Sequence, residues 1–153
     1  IESGSRVAVK DLLLSREGDL ANGMDFFTIT LPSGRKLYYA NPGTRENSWG
    51  SQVITYKSSN QTSGKWETTD TYGGKLTENV VQAIARDCLA VSIKRLTEKG
   101  FKIVMHIHDE VVIEAPMETS VDEVCEIMGQ DIEWAEGLIL RADGFETLYY
   151  KKD

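Results

Sequence analysis

Apolar and polar positions follow an extended rhythm through the first half of the chain and a helical one after it. Residues 26–31 (FFTITL) are aromatic and β-branched, Pro32-Ser33-Gly34-Arg35 has turn chemistry, and residues 36–40 (KLYYA) resume the extended pattern. That is the signature of a β-hairpin. Residues 51–57 (SQVITYK) and 65–71 (KWETTDT) flank the polar stretch 58–64 and predict a second hairpin, with an Asn-, Pro-, Gly- and Ser-rich loop before it. Upstream, Val7, Val9, Leu12, Leu13 and Leu14 within residues 5–15 predict a short helix or helix end, broken by Gly18 and Ala21-Asn22-Gly23. Residues 1–72 are therefore expected to be mostly a small β-hairpin region.

After Gly73-Gly74 the period changes. Thr77 is a good N-cap, with Leu76 placed to staple against Val81. Val80, Val81, Ile84, Cys88, Val91 and Leu96 recur at helical spacing to about Lys99, and Gly100 stands where a left-handed C-terminal residue belongs. Two apolar extended runs follow, residues 101–107 (FKIVMHI) and 111–115 (VVIEA), separated by His108-Asp109-Glu110. Ser120 and Glu123 form a capping-box pattern, and Val121, Val124, Cys125, Met128, Ile132 and Ala135 carry a second helix to about Gly137. Residues 138–142 (LILRA) predict a last strand before the polar tail ending Lys151-Lys152-Asp153. Helix, strand, strand, helix, strand from residue 75 onward is an antiparallel β-sheet with covering helices, an α+β architecture.

The 153 residues suit one domain or a subdomain. With 41% hydrophobic residues a core of useful size is possible. No apolar run reaches the roughly 18–20 residues of a membrane span, and no leader pattern opens the chain. The start at Ile1, without methionine, reads as a truncation. Cys88 and Cys125 fall among apolar helical positions and suit buried free thiols in a reducing cytoplasm. Two cysteines and two histidines exclude a Cys-rich zinc module. The net charge of −7 is unevenly spread. Residues 1–74 balance at eight acidic and eight basic, residues 75–108 carry six basic and three acidic, and residues 109–153 carry thirteen acidic and three basic. The middle stretch could present a cationic face to phosphates, but the charge taken alone argues mildly against nucleic acid and favours an acidic solvated surface.

The sharpest chemistry lies in Met105-His106-Ile107-His108-Asp109-Glu110-Val111-Val112. Two adjacent carboxylates at a hairpin tip repel one another and must stay solvated. A hard divalent cation rewards such a pair: Mg²⁺ takes one or two carboxylates and leaves its other positions to water and substrate phosphates. Such a site favours phosphoryl or nucleotidyl transfer. An ordinary polar hairpin tip, where Asp is common for local reasons, has the same spacing.

Residues 104–115 (VMHIHDEVVIEA) resemble the third polymerase motif of the family A DNA polymerases, the polymerase I group, with its His-Asp-Glu triplet between two apolar strands. The preceding Glu78-Asn79-Val80-Val81-Gln82, with Arg86-Asp87 after it, resembles the helix in which that family sets a glutamine against the primer–template. Residues 73–79 (GGKLTEN), 31–35 (LPSGR) and 142–147 (ADGFET) look like the phage and prophage branch. The resemblance spans roughly residues 26–153 and implies a polymerase palm segment over 73–153, with 1–72 lying between fingers and palm. Carried over, Asp109 would be a ligand of a catalytic Mg²⁺ pair and Glu110 its acidic neighbour, tuning the site. His108 would lie near the primer's terminal phosphate, Gln82 near the primer–template minor groove, and Arg86, on Gln82's helix face, near a phosphate. Arg86 has a plainer reading as a surface arginine paired with Glu78 or Asp87, and His106 as a packed or hydrogen-bonded histidine.

The family's other two motifs have no counterpart. Asp25-Phe26-Phe27-Thr28-Ile29-Thr30 lacks the glutamate that ends the first aspartate motif and stands 84 positions before Asp109, too near for intervening fingers. Lys65 and Tyr72 are seven apart, but residue 61 is glutamine and the context is extended, which is not the fingers helix. The resemblance thus implies a DNA-directed DNA polymerase of a bacterial cytoplasm, acting in replication on primer–template DNA and deoxynucleoside triphosphates without a membrane. This piece would be inactive without the remainder of the chain. Two other classes are carried beside it: a metal-dependent hydrolase using His106 and His108 as an HxH pair for zinc, and a non-catalytic binding module built on the β-rich half.

Overall fold

Alternation along the first seventy residues produces one antiparallel meander, β1-β2-β3-β4-β5-β6, in the computed structural model, which describes residues 4–18, 20–23 and 25–151. The end of the polar tail, Lys152-Asp153, and the start at Ile1 lie outside those residues. The strands are β1 (Arg6–Val9), β2 (Leu12–Glu17), β3 (Phe26–Thr30), β4 (Lys36–Glu46), β5 (Gln52–Ser59) and β6 (Trp66–Thr71). Both expected hairpins form, β3 with β4 and β5 with β6. Residues 5–15 are not helical: Lys10-Asp11 turn β1 back onto β2, with Lys10 at φ 51. Leu12-Leu13-Leu14 is a continuous apolar run, which periodicity assigns to neither helix nor strand. Its partner on β3 decides it, through Leu14↔Ile29.

β4 is longer than the sequence suggests. It runs through Asn41-Pro42-Gly43 by a register shift between Ala40 and Gly43, with Asn41 at φ 47. A bulge is where a strand tolerates proline. Ile29, Leu31 and Tyr39 are buried here, with Thr28, Thr55 and Thr71. Tyr39 joins Phe27 and Tyr56 in ring contact, centroids 5.8 and 5.1 Å away, and its hydroxyl accepts from Asn79 Nδ2 at 3.1 Å. Burial pushes the Tyr39 phenol above its ordinary pKa.

Helix α1 (Gly73–Glu98) starts earlier than Thr77. The Leu76 amide donates to the Tyr72 carbonyl at 3.1 Å, so the helix winds directly out of β6, and Thr77 Oγ1 donates back to the Gly73 carbonyl at 3.0 Å instead of capping. Val81 is 61% exposed, so the expected Leu76–Val81 staple does not bury it. The C-terminus is as the sequence predicts. Gly100 sits at φ 89, its amide donates to Thr97 and the Phe101 amide to Leu96, both at 3.0 Å, which together make a Schellman ending.

The chain divides into two compact units, Ile1–Gln82 and Ala83–Asp153. In the second, Cys88, Leu89, Leu96, Ile127 and Ile132 are buried, Leu96 completely. β7 (Lys102–Ile107) and β8 (Glu110–Glu114) form a separate two-stranded sheet, and α2 (Val121–Met128) follows. Ser120 occupies the N-cap position of α2 but its side chain makes no capping bond. α2 ends nine residues short of Gly137. Arg95 of α1 donates to the carbonyls of Gln130 (2.9 Å) and Asp131 (2.6 Å), and Ser92 to that of Met128 (3.4 Å). Those carbonyls are thereby drawn from helical bonding, and Ile132 is anchored in the core. Residues 138–142 form no regular element and join no ladder. The segment crosses α2 instead: a Cβ on Gly144 would stand 3.1 Å from Val121 Cγ1, and one on Gly129 3.4 Å from the Leu140 carbonyl. With an antiparallel sheet and two helices the chain is of mixed α and β type, consistent with α+β.

Candidate functional site

The β7–β8 connection is as short as a hairpin allows. Ile107 pairs with Glu110, which leaves His108 and Asp109 as the two turn residues. His108 adopts φ 51. A left-handed first residue matches turn twist to strand twist, and histidine is one of the few side chains enriched in that region. The strands are amphipathic rather than fully buried: Ile103, Met105 and Ile107 are half-buried while Lys102, Val104 and His106 are exposed, with a register shift between Ile103 and Met105.

The turn therefore lifts His108, Asp109 and Glu110 into solvent. Among the described residues, neither the Asp109 nor the Glu110 side chain has a hydrogen-bond or ion-pair partner. Two solvated carboxylates without internal partners are hard oxygen donors available to a divalent cation. Among the described residues no group of three or more His, Cys, Asp or Glu gathers in one place. The donor set is thus the open kind that takes one or two protein carboxylates, and it fits magnesium better than zinc.

Arg86 and His106 are brought together. The guanidinium NH1 lies 3.2 Å from Nδ1 and NH2 3.4 Å from Nε2 of the imidazole. A neutral imidazole has one lone-pair nitrogen, so only one of the two is a full hydrogen bond. Glu78, one of the plain partners foreseen for Arg86, holds Lys75 at 3.0 Å, while the Arg86 guanidinium meets an imidazole. A cation resting on both ring nitrogens of His106 also opposes a zinc ion there. His108 has left the strand, so alternation no longer ties it to the face of His106. Gln82 is exposed in the first unit, its Nε2 3.4 Å from Glu78 Oε1.

Asp25, the lookalike of the first aspartate motif, is engaged structurally. Arg16 grips it with Nε at 2.9 Å and NH2 at 2.6 Å. That hydrogen bond holds the carboxyl below its ordinary range, against a smaller upward push from burial. Both cysteines are free thiols; burial, with Asp87 beside Cys88 and Asp143 near Cys125, pushes their pKa values up and so disfavours the thiolate. Among the described residues no helix is long and apolar enough to cross a membrane. The Arg86–His106 contact is what sequence reasoning missed, since 20 residues of separation and two element types leave no local signal.

No family model matches the chain, and no solved structure does. The chain is 52% identical over 127 residues, 82% of its length, to a protein of Bacillus phage SP02 named DNA polymerase. It spans 19% of that relative's length. It is therefore similar to one part of a phage DNA polymerase.

Proposed function

We propose that this chain is a palm segment of a family A DNA polymerase, contributing Asp109 to a two-magnesium site for adding deoxynucleotides to a primer 3′-hydroxyl. The observation that carries the reading is the His108-Asp109-Glu110 turn, whose two carboxylates stand in solvent without internal partners. Similarity to the phage polymerase across most of the chain supports it. In this reading residues 1–72 lie between fingers and palm and residues 73–153 belong to the palm. Primer–template DNA and deoxynucleoside triphosphates are the partners, and the second aspartate comes from the remainder of the polymerase.

Asp109 would hold the metal directly, and Glu110 would add negative potential beside it. Bound magnesium supplies charge neutralisation at the phosphates and eases ionisation of the primer hydroxyl. His108, exposed at the apex, can donate a ring N–H to the primer's terminal phosphate. Arg86, whose guanidinium rests on the His106 imidazole, can offer its positive charge to a DNA phosphate. The Gln82 amide gives up only a long contact to Glu78 when it turns to a minor-groove acceptor.

The test is Asp109→Asn in a polymerase carrying this segment. Primer extension should fall at least about 100-fold, the scale for losing a group that stabilises transition-state charge. Thermal unfolding should not change, because the side chain is exposed and unpaired. Near-normal extension by the variant overturns the reading.

A further inference from the structure

We propose that one face of the six-stranded sheet binds a single strand of nucleic acid, with Tyr38 and Trp66 as stacking platforms and Lys57 between them as a phosphate contact. This goes beyond the polymerase reading and does not depend on it.

Residues paired across antiparallel strands share a face, and so do residues two apart along a strand. By that rule Arg6, Glu17, Lys36, Tyr38, Lys57 and Trp66 lie on one side of the sheet, while Tyr39 and Tyr56 lie on the other. Ala40 pairs with Lys57 and Ser59 with Trp66. Counting two residues back along β4 and two forward along β5 sets Tyr38, Ser59 and Trp66 in one row. The two rings are then two strand spacings apart, about 10 Å. Lys57 stands on the middle strand, one step along.

Both rings are open, Tyr38 at 60% and Trp66 at 62% exposure. Tyr38 is also held in place: Phe26 meets it edge-on, centroids 5.8 Å apart at 89°. A ring supported on one side and open on another can stack against a base.

Charge on this face points to the same ligand. The strands place four cations here, Arg6, Lys36, Arg45 and Lys57, and two anions, Glu17 and Asp70. Both anions are taken, Glu17 by Lys36 at 2.7 Å and Asp70 by Arg45 at 2.6 Å. What remains is positive. The strand charges of the opposite face are Arg16, Glu46 and Glu67. Aromatic platforms interleaved with cations are how sequence-tolerant single-strand sites are built. A protein interface would fill the gap between the rings with apolar side chains; here it holds Ser59, Lys57 and Thr68.

The experiment is anisotropy of a labelled short oligo(dT) titrated with this chain at low salt in EDTA. Expected is binding that weakens steeply with salt. Tyr38→Ala and Trp66→Ala should each weaken it about tenfold, while Tyr38→Phe and Trp66→Phe keep it. Lys57→Gln should lower the slope of log affinity against log salt by about 0.7, one phosphate on a single strand. Trp49→Ala, removing an 87% exposed indole from the β4–β5 turn, should change nothing. Absent binding, or binding indifferent to both ring deletions in variants with unchanged melting, overturns the proposal. EDTA removes any metal at Asp109, so failure here leaves the polymerase reading standing, and failure of the Asp109→Asn test leaves this surface standing.

Discussion

At the scale of single residues, the described carboxylates divide by whether the chain already uses them. Asp25, Glu17 and Asp70 are each drawn below the ordinary carboxylate range, first by a hydrogen bond from Arg16, Lys36 and Arg45 respectively. Asp109 and Glu110 have no such partner among the described residues. The first group bears on stability and pH. A carboxyl whose folded pKa is depressed contributes stability that is present above its unfolded value, about 4, and lost as pH falls through the folded one. The urea midpoint should therefore hold from neutral pH to about 5 and drop below about 4. Arg16→Met should flatten part of that drop, since it removes the cause of the Asp25 shift, and should cost about 1 kcal/mol at neutral pH. A midpoint whose acid dependence is identical in the variant would show that the Arg16–Asp25 pair contributes nothing. The missing glutamate set Asp25 apart from the first aspartate motif; its arginine partner was not legible, because pairing β2 with β3 is what brings the two together.

At the scale of elements, signals carried within a few residues were readable and those settled by a neighbour were not. The hairpins over 26–40 and 51–71 follow from alternation and turn chemistry, and Gly100 follows from the left-handed geometry it must adopt. Gly100→Ala should cost about 1 kcal/mol in chemical denaturation, because a Cβ is unfavourable at φ 89. Leu96→Ala, one turn earlier and fully buried, should cost about 2–5 kcal/mol. If the two variants proved equally mild, Leu96 would not be the packing centre of its unit. The errors have a common source. β1 and β2 are strands because β3 offers a partner edge, and α2 stops at Met128 because Arg95 claims the next carbonyls. Residues 138–142 had strand-like composition but found a helix surface beside them rather than a free edge.

At the scale of the whole molecule, charge and length frame what the chain can do alone. Acid is concentrated after residue 108, where thirteen acidic side chains meet three basic ones, so that part of the chain carries net charge of the same sign as nucleic acid. The chain spans 19% of its phage relative, and the described residues gather no cluster of three metal-binding side chains. Templated primer extension by this chain, with magnesium and all four deoxynucleotides present, should accordingly be undetectable. Robust synthesis would require a second metal carboxylate within these residues and would sink the proposed division of the site.

What the sequence determined by itself is everything that local stereochemistry enforces: the extended first half, the long helix and its glycine ending, and a charged turn between two apolar runs. Adjacent residues carry those outcomes in their own backbone preferences and solvation. Only the tertiary structure decided which strand pairs with residues 5–15, where α2 ends, that Arg86 leans on His106, and that Tyr38 and Trp66 share a face with unspent positive charge. Each of those depends on groups distant in sequence competing for the same hydrogen bonds or the same surface, and that competition is resolved only when the chain has closed on itself.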